Sequence, residues 1–300
     1  MLRFGRSNVQ PILRYLFNTK FRGFSSDANS DAYQPNFQPL NLAARNQLEA
    51  IGVRHQSCID VSRLTPSILG TLASLPRSDF IIYPRFLSIE EQNILLKSSL
   101  VKLGGKRRRR RGISEATASE RMDHLKYPLD EIFGGDKEYD FEEGHFDGVI
   151  RDYREMTVSS WPNSSPPELS HILLRLYKLI DSRNTPPNPG LTTPSNVQTH
   201  ILHLASTGVI LPHVDNIEAS GSAIAGVSLG DTRILRLTQS SAGSEDASFD
   251  VLLESGSVYI QRDDVRYNWR HEIPNITEFQ GRTVGGGQRI SVMLRDKYQS

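Results

Sequence analysis

From about residue 195 onward, apolar positions alternate with polar ones, whereas in the first half they recur at helical intervals. Alternation puts successive side chains on opposite faces of an extended chain, so the second half predicts strands. These are Val197–Ala205, Val209–Leu211, Ala223–Leu229, Ile234–Thr238, Phe249–Leu253, Val258–Arg262 and Gln288–Leu294. Turn residues separate them at Ser206-Thr207-Gly208, Gly230-Asp231, Ser241–Ser244 and Glu254-Ser255-Gly256. Many short strands at such spacing predict a sandwich or barrel.

In the first half, Phe80–Tyr83 reads as a strand and Pro84–Leu87 as a turn. Ser88 then opens a helix with Glu91 three residues on, a capping box, and Ile89, Ile94, Leu95, Leu96 and Leu100 supply its buried face. A second helix starts at Pro166-Pro167-Glu168 and runs to about Ser182, with Leu169, Ile172, Leu173, Leu176, Leu179 and Ile180 as its apolar stripe. Thr185–Pro194 is Pro-rich and predicts a loop. The expected fold is α+β and β-rich, a jelly-roll core buttressed by N-terminal helices.

Upstream, residues 25–78 read as an extension, partly disordered, with a linker rich in Ser, Asn, Gln and Pro over 25–40 and a short helix at Leu40–Val53. Residues 1–26 carry five bases (Arg3, Arg6, Arg14, Lys20, Arg22) and no acid, with apolar residues interleaved. That is the pattern of a mitochondrial presequence, residues 1–24, cut after Phe24 in Arg22-Gly23-Phe24-Ser25. The main domain then spans 79–300, and this signal would place it in the matrix.

Composition narrows the chemistry. One cysteine, Cys58, excludes an internal disulfide and a thiolate metal site, so a metal here takes His, Asp or Glu. No apolar run approaches the roughly 20 residues of a membrane-spanning helix. The net charge of +1 is uninformative, but Lys106–Arg111 is an unbroken basic run, read as a solvated loop, a contact for nucleic acid or acidic lipid, or a nuclear localisation signal. The acidic stretch within 113–160, with Asp130, Glu131, Asp136, Glu138, Asp140, Glu142 and Glu143, reads as a solvated face or flexible insert.

The candidate chemistry lies in the β half. In Leu211-Pro212-His213-Val214-Asp215, an extended chain would turn His213 and Asp215 to the same side. A third ligand is available in His271, 56 positions after Asp215. Two histidines and one carboxylate form the facial triad of non-haem Fe(II) oxygenases, whose open positions suffice for a bidentate 2-oxo acid and O2. A lone His-x-Asp occurs by chance. The signal sharpens at Arg289-Ile290-Ser291-Val292-Met293-Leu294-Arg295, where alternation puts Arg289, Ser291, Met293 and Arg295 on one face. Arginines facing a barrel interior demand an anion, and guanidinium suits carboxylate geometry.

In this order, His213-x-Asp215, His271 and the Arg289/Arg295 pair resemble the AlkB-like 2-oxoglutarate dioxygenases. Ile210–Asp215, Gly221–Leu229, Gly256–Ile260, Arg266-Tyr267 and Arg289–Val292 are most similar to the mitochondrial AlkB homolog 7 branch. The resemblance covers roughly 79–296. It implies a double-stranded β-helix, Fe(II) held by His213, Asp215 and His271, and 2-oxoglutarate and O2 as co-substrates. Arg289 would pair with the distal carboxylate of 2-oxoglutarate, and Tyr259, Ser291 and Arg295 would make further contacts with it. Arg266 and Trp269 would brace the strand carrying His271. Relatives that act on nucleic acids carry an Asn-x-Tyr pair where this chain has Leu202 and Leu204, and no aromatic base-reading lid precedes the barrel, which argues against DNA repair. The implied activity is hydroxylation of a protein or other non-DNA matrix substrate, with a role in mitochondrial permeability, regulated necrosis and fatty-acid metabolism. An RNA N-methyl demethylase contacting RNA through Lys106–Arg111 is the alternative. A non-catalytic interaction protein that senses iron or 2-oxoglutarate is the alternative of another class.

Overall fold

A computed structural model of the protein describes residues 58–60, 79–111, 129–181, 183–239 and 247–297, with backbone alone at 59, 105–111, 129–130 and 247. The expected presequence, the helix at Leu40–Val53 and most of the 25–78 extension lie outside these residues, as does the turn at Ser241–Ser244.

Thirteen strands are described: β1 (Ile59–Asp60), β2 (Phe80–Tyr83), β3 (Glu142–Gly144), β4 (Ile150–Val158), β5 (Val197–His213), β6 (Ala223–Gly230), β7 (Arg233–Gln239), β8 (Ala247–Leu253), β9 (Val258–Arg262), β10 (Trp269–Ile273), β11 (Ile276–Phe279), β12 (Arg282–Gly285) and β13 (Arg289–Asp296). Eleven form one antiparallel sheet in the order β1-β8-β7-β10-β5-β13-β6-β9-β2, with β4 also on β5 and β3 beyond it; β11 and β12 form a separate hairpin.

The sheet folds over on itself, and β5 shows how. Its first half pairs with β13, Leu204 opposite Arg289. Its second half pairs with β10, His213 opposite His271. One 17-residue strand therefore belongs to both limbs. Leu202, Leu204, Tyr153 and Tyr259 from one limb pack against Leu235, Leu237, Phe249, Val251, Trp269 and Ile273 from the other. This is a jelly roll.

The turn expected at Ser206–Gly208 is instead a bend within β5. The β4–β5 register shifts between Arg151 and Tyr153, and Asp152 there takes a φ of 50°. A Cβ on Gly208 would lie 2.8 Å from the Asp152 carbonyl oxygen, so glycine permits the approach. Asp136 accepts hydrogen bonds from the Ser206 N–H and hydroxyl, and Asp152 from the Thr207 hydroxyl. Local turn chemistry is thus used to bend a strand without ending it.

Two helices cover the outer face of the β5–β13–β6 limb. In α1 (Ile89–Arg111) the capping box forms as expected, the Glu91 N–H donating to Ser88 Oγ (3.3 Å) and the Ser88 N–H to the Glu91 carboxylate (3.0 Å). Leu95 and Leu96 are buried, whereas Ile89, expected on the buried face, is exposed. In α2 (Glu168–Ile180), Leu169, Ile172, Leu173 and Leu176 pack with α1 and with Ile201, Val227, Leu229, Ile290, Val292 and Leu294. Odd and even residues of β5 and β13 so serve opposite faces: Ile290 and Val292 hold the helices, leaving Arg289 and Ser291 for the interior.

Two expectations are corrected. The basic run Lys106–Arg111 is not a loop, because α1 continues through it to Arg111. Lys and Arg are good helix formers, and cations favour a helix C-terminus, which outweighs the about 1 kcal/mol that each of Gly104 and Gly105 costs. The acidic stretch, from Asp136 on, is not a flexible insert, because β3 and β4 extend the sheet and Asp136 anchors the bend of β5, while Glu138, Asp140, Glu142 and Glu143 are exposed, as a solvated face would be.

Candidate functional site

His213 and His271 are cross-strand partners, with ring centroids 4.2 Å apart. Asp215 joins them, although β5 ends at His213 and the carboxylate stands in the coil beyond it rather than on an extended strand. One ligand atom from each of the three lies within 4.8 Å of the others. Among the described residues this is the one His/Cys/Asp/Glu group that meets that test.

The protonation of the site suits a metal. Nδ1 of His213 lies 2.9 Å from the Leu211 carbonyl oxygen, an acceptor, so Nδ1 carries a proton and Nε2 is the nitrogen turned to the site. That Nε2 faces Asp215 Oδ1 at 3.5 Å. Burial pushes His271 down to about 4, so its imidazole is neutral at physiological pH. Burial also opposes the charge on Asp215, but Arg295 first, then His213 and His271, hold its carboxyl well below the usual range. Burial pulls His213 down too, and its hydrogen bond to Asp215 and the Asp215 charge more than reverse this. Two imidazoles, one with its tautomer set by a backbone carbonyl, and an ionised carboxylate form a donor set that fits Fe(II).

A second feature lies farther along β13. Arg289 is buried, and its Nε donates to Ser228 Oγ on β6 at 3.1 Å. One terminal nitrogen, Nη2, is buried with no hydrogen-bond partner among the described residues. Burial lowers the guanidinium to about 10, which still leaves it charged at neutral pH. A buried guanidinium with an unused donor fits an anionic ligand. Tyr259 lies beside it, buried, its ring crossing Gly226 so closely that a Cβ there would lie 2.4 Å from the ring. Burial raises the Tyr259 phenol, opposed by the Arg289 charge.

Ser291 is buried in the same row, opposite Ser228 and Leu202. Arg295 is also in this row, but its guanidinium is 3.4 Å from both oxygens of Asp215. Of the braces expected for the His271 strand, Trp269 is buried against Phe249. Arg266 reaches past that strand to the Asp215 loop.

Sequence reasoning missed Ser228, whose signal is a hydroxyl within the otherwise apolar run Ala223–Leu229. It also missed a polar wall on β4 and β5, where Glu155 Oε2 lies 2.9 Å from His200 Nε2 and Glu155 Oε1 lies 3.7 Å from His145. The hydrogen bond with His200 chiefly lowers the Glu155 carboxyl, against burial. Asp147, 2.8 Å from His145 and within electrostatic reach of His213, completes this wall. No spacing in the sequence links these residues.

Comparison with known proteins agrees with this geometry. Residues 79–295 match the family model of the 2OG-Fe(II) oxygenase superfamily. The chain is 30% identical over 240 residues to the mouse (Mus musculus) alpha-ketoglutarate-dependent dioxygenase alkB homolog 7, mitochondrial, covering 79% of this chain and 86% of that protein. It is 36% identical to the cattle (Bos taurus) protein of the same name, covering 52% of this chain; the match spans 65% of the cattle protein. A Trichoplax adhaerens prolyl hydroxylase solved with a hypoxia inducible factor peptide superposes with a TM-score of 0.43 at 9% identity, covering 86% of this chain and 94% of that one.

Proposed function

The chain belongs to the 2-oxoglutarate–Fe(II) oxygenase superfamily, in its AlkB homolog 7 branch, and from that premise we propose that it is an active dioxygenase of mitochondria, in the matrix, acting on a protein side chain or another non-DNA substrate. The observation that carries the reading is the convergence of His213, Asp215 and His271 within 4.8 Å, beside a buried Arg289 with an unused donor. The role in mitochondrial permeability, regulated necrosis and fatty-acid metabolism implied by the resemblance belongs to the same proposal.

His213 Nε2, His271 and the Asp215 carboxylate would hold Fe(II). Arg289, with Tyr259 and Ser291 beside it, would take the distal carboxylate of 2-oxoglutarate. Fe(II) with 2-oxoglutarate supplies O2 activation coupled to oxidative decarboxylation, which yields succinate and CO2 and delivers one oxygen atom to a substrate C–H bond. The chain's own part is positional. The β5–β10 pairing fixes the separation of the two imidazoles, and the Leu211 carbonyl fixes the tautomer of His213. Arg295 keeps Asp215 ionised, and the apolar residues Leu202, Leu204 and Leu237 exclude water from the interior. The polar wall of Glu155, His200, His145 and Asp147 is placed to orient a substrate.

The test is anaerobic titration of the purified protein with Fe(II) and 2-oxoglutarate, followed by the visible charge-transfer band of the chelate. A saturable band, lost in His271→Ala and weakened in Arg289→Ala, is expected. A folded, metal-replete sample without a band would sink the reading and favour an interaction protein.

A further inference from the structure

The three donors of the site are not held alike. His213 and His271 are placed by the sheet, as partners across β5 and β10. Asp215 is placed by neither strand, since β5 ends two residues before it and β6 resumes only at Ala223. A carboxylate on such a segment samples many positions unless another element holds the backbone, while a metal site requires its donors within roughly 0.5 Å of the productive geometry.

Arg266 meets that need. It belongs to the short helix α3 (Asp263–Asn268), which leads directly into β10 and His271, and it is buried, only 2% exposed. Its Nη1 donates to the carbonyl of Asp215 itself at 3.0 Å. Its Nη2 donates to the Asn216 carbonyl at 3.0 Å and to Ser220 Oγ at 3.1 Å. One guanidinium thus spans the loop from Asp215 to Ser220, and its planar fork fixes direction as well as distance. Nε of Arg266 is buried without a hydrogen-bond partner among the described residues, so its bonds to that loop, with the Tyr267 ring 5.3 Å from the guanidinium, offset the burial of the charge. Arg295 meanwhile touches the Asp215 carboxylate, 3.4 Å from both oxygens. Backbone and side chain of Asp215 are therefore held by different arginines from different elements.

Building on the metal site proposed above, we propose that Arg266 is a positioning residue for the carboxylate ligand, preorganising Asp215 for the metal by clamping its carbonyl to the segment that carries His271. The role is distinct from bracing β10: the bonds go to the other ligand's loop.

The test uses the full chain and Co(II), whose visible absorption reports both affinity and coordination geometry. Arg266→Met is expected to weaken Co(II) binding about 10- to 100-fold and to change the shape of the band, the usual effect of losing a residue that orients a metal ligand. Arg266→Lys, which keeps the charge but loses the fork, should bind with an intermediate affinity. The melting temperature of the metal-free proteins separates fold from site. Wild-type affinity and band in Arg266→Met, at whatever melting temperature, would overturn the inference. If Arg266→Met does not fold, Arg266→Lys and Ser220→Ala decide: weakened binding supports the clamp, and wild-type binding in both overturns it. Wild-type protein that takes up no Co(II), or whose uptake survives His271→Ala, overturns the site itself and the inference with it.

Discussion

Arg289 on β13 reaches diagonally to Ser228 on β6, Nε to Oγ at 3.1 Å, and keeps one guanidinium nitrogen buried and unused among the described residues. An arriving carboxylate would satisfy it with a charge-assisted hydrogen bond. The strand that points it inward also turns Ile290 and Val292 out to the helices, so the arginine's placement is set by packing on the opposite face.

Arg289→Ala is therefore expected to raise the Kd for 2-oxoglutarate by roughly 30-fold or more, since truncating one member of a buried charge pair costs about 2–5 kcal/mol. Calorimetric titration of Mn(II)-loaded wild type and variant would measure it. A change under threefold would remove Arg289 from the binding site.

Binding should also show in stability. At a concentration of 100 Kd, 2-oxoglutarate should stabilise the metal-loaded protein by about 2.7 kcal/mol through mass action alone. Thermal unfolding with and without the dicarboxylate would detect this, and the increment should vanish in Arg289→Ala. An equal shift in both proteins would place the dicarboxylate elsewhere.

Gly226 predicts the importance of Tyr259. A methyl group there would lie 2.4 Å from the tyrosine ring. Gly226→Ala should cost about 1–3 kcal/mol in overpacking and, by displacing the ring, weaken 2-oxoglutarate binding. Urea unfolding and the same calorimetric titration would read both. Lost stability with unchanged binding would make Tyr259 a packing residue only.

His203 gives a pH dependence independent of the metal. It is fully buried; Arg154 Nε donates to its Nδ1 at 2.9 Å, and its Nε2 faces Gln288 Oε1 at 3.0 Å. Burial, with the Arg154 charge, lowers it from 6.5 to about 3. Between those values the unfolded chain binds a proton that the folded chain does not. The stability is thus intact above about pH 6.5 and declines as pH falls toward 3, by up to about 1.4 kcal/mol per unit. Urea midpoints measured from pH 7 to 4.5 should fall more steeply for wild type than for His203→Gln. Parallel slopes would contradict the buried neutral imidazole.

Much of this was legible in the sequence because it depends on neighbours along the chain. Period-two alternation identified most strands of the second half, though not the β11–β12 hairpin, and Ser88 with Glu91 marked the start of α1. The spacing of His213 and Asp215, and the one-sided Arg289 and Ser291, named most of the site. These signals are local, since a strand's pleat or a helix cap is decided within a few residues.

What the sequence could not supply depends on contacts between distant segments. The bend of β5 arises because Asp136, some 70 positions away, binds Ser206 where a local reading sees a turn. Glu155 meets His200 only because β4 lies on β5, and Arg295 pairs with Asp215 only because the sheet folds over. The sequence by itself determined which residues are the candidate metal donors and which face of β13 carries the charge. The tertiary structure alone decided how Asp215, off any strand, is held, because a coil segment has no periodicity and takes its position from the groups that bond to it.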